Sequence, residues 1–178
     1  MRLTRTLVVA CVLVAVIMAA PVPVLDEESY LAITAHFDPL RPYHWWRPWP
    51  PWYGGSEPDA FVYAHPPLFL EWVALWRSLS ADAVIVRALA GIPVAALFGW
   101  SAGRLINRTV TRKPLAAAMW FGTPIVMLGM QRGLMPDLMV AALATTAVMG
   151  WREAMDSGPR STRWLVLGGL ALGLAAWT

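Results

Sequence analysis

Two adjacent carboxylates, Asp26 and Glu27, stand directly after the first long apolar run of the chain. If that run crosses a membrane, they are held near the membrane surface, where a lipid-linked substrate presents its head group. Asp26 can also cap a short helix predicted over residues 26–37, and backbone N–H groups there favour the ionised carboxylate. An ionised and positioned carboxylate is what a general base needs, so Asp26 and Glu27 are candidate catalytic residues. The structural alternative is that both only cap a helix and stay hydrated.

A histidine precedes a double proline in the segment Ala64-His65-Pro66-Pro67. Proline suits the first turn of a helix, so a helix is predicted to begin at Pro66 or Pro67 and to run over residues 68–79. His65 is thereby fixed next to a helix start, where it could contact a phosphate or a sugar hydroxyl. The structural alternative is a turn that does no more than start the helix.

Three further ionisable residues, Arg87, Arg132 and Asp137, lie at the starts of later apolar runs. Ionisable groups at a membrane edge often face a cavity within the protein. We regard all three, with His65, as candidate substrate-binding residues. Two alternatives stay open: Arg132 and Asp137 could pair with each other, and Arg87 could extend its charge to the membrane interface.

The segment 43–53 is rich in aromatic residues, which stack on sugars and also favour a membrane interface. A metal site could in principle draw on His36, His44 and His65, but no tight ligand spacing supports one. A divalent metal is therefore left open as a cofactor. Cys11 is the only cysteine, so the chain forms no internal disulfide.

The composition indicates a membrane protein. Of the 178 residues, 58% are hydrophobic and only 14% are charged, and the mean hydropathy is +0.53. A soluble domain carries about 25% charged residues, and one of this size could not bury so much apolar surface. The basic residues are scattered rather than arranged in a stripe, which argues against nucleic acid as a partner.

The apolar runs predict an all-α polytopic membrane bundle with about five spans. A polar segment over residues 26–82 forms a large first loop that carries short interfacial helices. Each run is close to the length that a helix needs to cross the hydrocarbon layer, about 20 residues. The predicted spans are residues 7–25, 87–103, 114–131, 134–151 and 164–178.

The first and last runs need separate interpretation. The first could be a secretory signal peptide, but it is long for one and Pro21 follows its only small-residue site, so we predict an uncleaved helix. The last run is still apolar at Thr178, so we expect the sequence to be the N-terminal part of a longer chain. Its small residues Gly168, Gly169 and Gly173 are expected to pack against helices beyond it.

The orientation follows from the basic residues. The segments 104–113 and 152–163, together with Arg2 and Arg5, carry an excess of arginine and lysine that is typical of the cytoplasmic side. The loop 26–82 and the turn 132–137 then face outward, and five spans alternate without conflict. We predict a multi-pass protein of the inner or plasma membrane with a cytoplasmic N-terminus and its candidate site on the outer face.

Five short motifs follow one another along the chain. They are Asp26-Glu27 with Tyr30 one turn later, His-Pro-Pro-Leu-Phe at 65–69, Arg-Ala-Leu-Ala-Gly at 87–91, Met-Pro-Asp-Leu-Met at 135–139, and a Gly-Leu-Ala-rich run at 169–178. In this order, which covers essentially the whole chain, the sequence resembles the GT-C-fold glycosyltransferases of the dolichyl-phosphate-mannose protein mannosyltransferase-like superfamily. That group includes bacterial lipid A aminoarabinose transferases and galacturonosyltransferases of lipopolysaccharide cores.

The resemblance implies transfer of a sugar from a polyprenyl-phosphate donor to a lipid, glycan or protein acceptor on the extracytoplasmic face. Asp26 matches the acidic position that these enzymes use near the reacting hydroxyl of the acceptor. Tyr30 joins the candidate binding residues. His65 stands where aminoarabinose transferases have a lysine that contacts the donor phosphate, and Ala64 where they have a glutamate associated with metal. The resemblance therefore implies neither a metal nor that donor. Since the family has many further spans, we expect an incomplete GT-C fold without transferase activity by itself.

A small multi-pass transporter, or a membrane assembly protein without catalysis, is the alternative. A transporter would be expected to place ionisable residues or broken helices near the middle of the membrane. Here the predicted spans are clean between their ends, and the candidate polar residues cluster at one predicted face. That pattern favours chemistry at the surface, with the lipid-linked donor, the acceptor and membrane lipids as partners.

Overall fold

The computed structural model describes residues 2–19, 30, 31, 34, 67–121, 136–158 and 161–178. This part of the chain contains six α-helices and no strand, as the predicted all-α class requires. By length and composition, α1 and α3 could each cross a membrane. The helices are α1 (Arg2–Ala19), α2 (Pro67–Arg77), α3 (Ala83–Thr109), α4 (Lys113–Phe121), α5 (Pro136–Asp156) and α6 (Ser161–Ala176).

The long helix α3 is the centre of the bundle, since α1, α2, α4 and α5 all pack against it, while α6 packs against α5. Two glycines of α3 let α1 approach closely. A Cβ atom on Gly99 would lie 2.8 Å from the carbonyl oxygen of Leu7, and one on Gly103 would lie 2.7 Å from the Cα of Thr4. At the other end of this interface Arg87 contacts Ala19. The two helices are therefore antiparallel.

A second close approach joins α5 to α6. A Cβ atom on Gly150 would lie 2.9 Å from the Cα of Gly168. Gly168 thus packs within this chain, contrary to the expectation for the small residues of α6. Gly169 and Gly173 have no atom of the described residues within 4 Å of such a Cβ.

Helix α2 begins at Pro67, one of the two predicted starts, and ends at Arg77, two residues before the predicted end at Leu79. Helix α3 begins after Asp82, whose Oδ1 accepts hydrogen bonds from the backbone N–H groups of Val84 at 2.8 Å and Ile85 at 3.0 Å. An aspartate in this position satisfies N–H groups that have no partner within the helix. The polar segment that precedes the predicted span therefore ends at a defined helix cap.

The ends of α3 and α5 correct the predicted loops. Helix α3 continues through Arg104 and Arg108 to Thr109, so only residues 110–112 connect it to α4. Helix α5 likewise continues through Glu153 to Asp156. The charged residues predict loops here, but arginine is a good helix former, and Arg104 and Arg108 each form an ion pair with Glu153 across the two helices.

Two buried clusters of the described residues show how the helices are arranged. One cluster joins Tyr30 and Leu31 to α2 and to Val86 and Ala90 of α3, with Met139 of α5 packed against it. The next cluster contains Cys11 and Ala15 of α1, Ala95 and Phe98 of α3, and Leu138 and Ala142 of α5. The start of α3 and the start of α5 therefore lie at the same end of the bundle.

Candidate functional site

Four of the predicted site residues lie outside the described residues: Asp26, Glu27, His65 and Arg132. The three histidines considered for a metal and the aromatic segment 43–53 also lie outside them. Their roles stay predictions. The structure describes the other three candidates, Tyr30, Arg87 and Asp137.

Arg87 lies in the first turns of α3 and is only 2% exposed. Its Nη1 donates a hydrogen bond to the backbone carbonyl of Ala19, the last residue of α1, at 2.9 Å. The last carbonyl groups of a helix have no partner within it, and a cation at this end also suits the helix dipole. A buried charge is expected to be paired, and here the end of α1 supplies an acceptor. The side chain is thus held between two helices.

Tyr30 is buried with 2% exposure, and its ring packs edge-to-face on Phe69 with the centroids 5.0 Å apart. It belongs to the cluster that contains Val86 and Ala90, which flank Arg87 in sequence. Thr34 donates a hydrogen bond to the carbonyl of Tyr30 at 2.7 Å. Tyr30 therefore lies against the same end of α3 that carries Arg87.

Asp137 is exposed in the first turn of α5. A carboxylate is favoured there by the helix dipole. Met139, close to it in sequence, packs against the cluster of Tyr30. Three predicted site residues are thus carried by the same end of the bundle, two of them buried and Asp137 exposed.

The opposite end of the bundle holds a polar cluster that the sequence did not lead us to predict. Glu153 is 3% exposed, and its Oε1 accepts hydrogen bonds from Arg104 Nε at 3.0 Å and Nη2 at 2.8 Å. Its Oε2 accepts from Arg108 Nη2 at 3.3 Å. The two arginines are one helical turn apart, so one carboxylate of α5 binds both.

These residues border a cavity of about 350 Å³ where the start of α1, the end of α3, the start of α4 and the end of α5 meet. Asn107 Nδ2 donates hydrogen bonds to Thr4 Oγ1 at 2.9 Å and to the carbonyl of Gly103 at 2.8 Å, which joins α1 to α3. The sequence offered one signal, an acidic residue within a segment that is otherwise basic. The cavity is lined by Thr4, Arg104, Asn107, Arg108, Lys113 and Glu153.

Glu153 follows the apolar part of α5, beyond the predicted span 134–151. Burial by itself would raise the pKa of this carboxyl. The hydrogen bonds and positive charges of Arg104 and Arg108 outweigh burial and hold its pKa below the ordinary value. The carboxyl is therefore ionised at neutral pH, and each arginine has a charged partner.

Tryptophan rings surround the same arginine. The guanidinium carbon of Arg104 lies 5.1 Å from the ring centroid of Trp164 on α6 and 5.9 Å from that of Trp100 on α3. Such cation–π contacts are attractive, and tryptophan is enriched at membrane interfaces. Arg104 thus connects α3, α5 and α6 at this end.

No group of three or more metal-ligating side chains occurs in the described ranges. A comparison of the chain with protein families, curated proteins and solved structures finds no match. The candidate sites therefore rest on the residues of this chain.

Proposed function

We propose that this chain belongs to a membrane glycosyltransferase that moves a sugar from a polyprenyl-phosphate donor to a lipid, glycan or protein acceptor on the extracytoplasmic face. The observation that carries the proposal is the buried Arg87, which is fixed on the end of α1 just before the segment that bears Asp26 and Glu27. The ordered motifs and the resemblance to GT-C enzymes add to it. A phosphate at a membrane edge is costly to desolvate, and a buried arginine can neutralise its charge.

The proposed location is the inner or plasma membrane, with several spans and a cytoplasmic N-terminus. Antiparallel packing brings the start of α1, with Arg2 and Arg5, beside the end of α3, with Arg104 and Arg108. Clustering of basic residues at one end of apolar helices supports a cytoplasmic position for that end. The end that carries Tyr30, Arg87 and Asp137 would then face outward.

In the proposed reaction Asp26 accepts the proton of the acceptor hydroxyl as its oxygen attacks the anomeric carbon of the donor sugar. The bond from that carbon to the phosphate oxygen breaks, and the polyprenyl phosphate leaves with the bonding electron pair. A single displacement of this kind inverts the anomeric centre. Arg87, with His65 and Arg132, offsets the charge on the departing phosphate.

Arg87 suits this role because its side chain is positioned before the donor arrives. A guanidinium held by the carbonyl of Ala19 does not have to reorient during the reaction. A hydrogen-bond donor that is already oriented stabilises developing charge most effectively. Tyr30 and Asp137 would border the sugar at the same end. Glu27 would be the second carboxylate beside the base.

The first test is donor binding by the chain in lipid vesicles, with a photoreactive analogue of undecaprenyl phosphate as the probe. We expect saturable labelling that undecaprenyl phosphate prevents and that undecaprenol, which lacks the phosphate, does not. Arg87→Gln should lower labelling about tenfold, because a charged contact to phosphate is lost, whereas Arg87→Lys keeps the charge and should retain most of the labelling. Arg112→Gln, at the opposite end of α3, is the matched control. Equal competition by undecaprenol would contradict the proposal and favour the non-catalytic alternative.

The second test concerns Asp26. Asp26→Asn at the native locus keeps size and capping ability but removes the base, so transfer to acceptor should fall about 10²- to 10⁴-fold at unchanged protein level. Radiolabelled polyprenyl-phosphate sugars given to isolated membranes measure the transfer. Activity within a few-fold of wild type would rule out Asp26 as the base.

A further inference from the structure

The cavity at the end of the bundle opposite Arg87 has an excess of positive charge. Arg104, Arg108 and Lys113 contribute three positive charges to its wall, and Glu153 contributes one negative charge. The described wall has no other charged side chain. Glu153 binds both arginines and so fixes their positions without neutralising the cavity. An anion is therefore the ligand that the electrostatics favour.

The kinds of donor present suit a phosphate. Arginine presents a planar fork of N–H groups to phosphate oxygens, and lysine adds a point charge. Lys113 is also the first residue of α4, where the helix dipole adds a partial positive charge. Half of the Arg108 side chain is exposed, so an incoming group can reach it. A volume of about 350 Å³ admits a phosphate with a small head group.

The surroundings point to a lipid as the bearer of that phosphate. The cavity lies at the ends of α1 and α3, the two helices that are long and apolar enough to cross a membrane. Helix α4 leads away from it and exposes Leu115 and Met119, which are one turn apart on one face. Trp100 and Trp164 lie beside Arg104, as expected at the depth of lipid head groups. A phospholipid placed along this path would meet basic groups at its phosphate and apolar side chains at its acyl chains.

We propose that the cavity bordered by Arg104, Arg108 and Lys113 binds the phosphate of an anionic phospholipid in the leaflet at this end of the bundle. Arg108 and Lys113 contact the phosphate oxygens, and Arg104, fixed by Glu153, provides the positive wall. The acyl chains run along the exposed apolar face of α4. The proposal rests on the membrane location given above and is independent of glycosyl transfer, which is assigned to the other end.

Native mass spectrometry of the chain, released from vesicles in a mild detergent, tests the proposal. Vesicles of phosphatidylcholine alone are compared with vesicles that also contain phosphatidylglycerol. We expect wild type to retain phosphatidylglycerol at one site and to exchange it only slowly for phosphatidylcholine. Lys113→Gln and Arg108→Gln should each weaken retention about fivefold, the effect of one basic side chain near an anionic lipid surface.

The matched control is Arg163→Gln, which removes a positive charge from the predicted same side but does not border the cavity. Circular dichroism and the unfolding midpoint verify that the variants fold. Lys113→Gln and Arg108→Gln both leave the Arg104–Glu153 pair in place. Inorganic phosphate is the second arm, and it should not displace the lipid at millimolar concentration. Equal losses in all three variants would overturn the site, and displacement by free phosphate would overturn the lipid as its ligand.

Discussion

Arg87 Nη1 lies 2.9 Å from the carbonyl oxygen of Ala19, so a guanidinium at the start of α3 closes the end of α1. Both partners are buried, with 2% exposure each. A contact of this kind fixes the point at which the chain leaves α1 and enters the segment that carries Asp26 and Glu27. The Arg87 side chain thus has two roles that mutation can test separately, which are holding the end of α1 and the proposed binding of phosphate.

Replacing Arg87 with methionine should lower the free energy of unfolding by about 1.5–3 kcal/mol, because a hydrogen bond from a charged donor to a buried carbonyl is lost. Arg87→Lys should recover part of that loss. Denaturant unfolding in detergent micelles measures the change. Arg112→Met, at an exposed position between α3 and α4, is the control and should stay within about 0.5 kcal/mol. Equal stability of the two methionine variants would show that the Arg87 contact does not hold α1.

The contact of Gly99 with α1 predicts a sharp response to one added methyl group. A Cβ atom at Gly99 would lie 2.8 Å from the carbonyl oxygen of Leu7 and 2.9 Å from the Cα of Val8, and backbone atoms cannot yield locally. Gly99→Ala should therefore destabilise the protein by about 1–3 kcal/mol. Gly173→Ala meets nothing within 4 Å in the described structure and should be neutral or stabilising, because alanine favours helix over glycine. Thermal unfolding of both variants makes the comparison, and an unaffected Gly99→Ala would contradict the close approach.

Two neighbouring tryptophans of α2 should respond differently to the same substitution. Trp72 and Trp76 pack edge-to-face with centroids 5.2 Å apart, and Trp72 Nε1 donates a hydrogen bond to the carbonyl of Ala90 at 3.0 Å. The buried Nε1 of Trp76 has no acceptor among the described residues. Trp72→Phe should thus cost about 1 kcal/mol more than Trp76→Phe, because only the first removes a hydrogen bond. Unfolding midpoints measure the difference, and the reverse order would show that Trp76 has an acceptor.

The fold could be predicted where local patterns decide it. The apolar runs lead to helices, and the start of α2 at Pro67 follows from the fixed backbone angle of proline. The end of α3 could not be predicted, because a segment that contains Arg104 and Arg108 has the composition of a cytoplasmic loop. Its helical structure depends on Glu153, which follows Arg104 by 49 residues in the sequence and lies beside it in the fold. Tertiary partners, which a single sequence does not display, decide this boundary.

The candidate site was predictable to a different extent at each end. The position of Arg87 at the start of an apolar run made it a candidate, but its contact with Ala19 could not be predicted, because Ala19 carries no signal in its side chain. The pocket around Glu153 was missed because its basic residues were used only to orient the chain. Gly168 was expected to pack beyond the chain, yet it meets Gly150, since glycine spacing alone does not say which helix approaches.

Neutralising Glu153 should weaken the contact of α3 with α5. Glu153→Gln keeps the size and one acceptor but leaves Arg104 and Arg108 as adjacent positive charges. Because Arg104 is 33% exposed and Arg108 50%, solvent screens the loss, and we expect about 1–2 kcal/mol rather than the 3–5 kcal/mol of a fully buried pair. Asp156→Asn is the control, since its i,i+4 pair with Arg152 at 3.6 Å is partly exposed and worth less than about 0.5 kcal/mol. Equal effects in denaturant unfolding would contradict the special position of Glu153.

The same carboxyl predicts how stability depends on pH. The pKa of Glu153 is lower in the folded protein than its ordinary value, because Arg104 and Arg108 outweigh the effect of burial. A depressed carboxyl pKa stabilises the fold at pH values above the unfolded pKa, and this contribution is lost as the pH falls through the folded pKa. The stability difference between wild type and Glu153→Gln should therefore stay constant from about pH 8 to about pH 6 and shrink below about pH 4, the ordinary range for glutamate. Unfolding of both proteins across this range measures the difference, and glutamine serves as the non-titrating reference. A difference that grows on acidification would mean that burial dominates and that the arginines do not hold the carboxylate ionised.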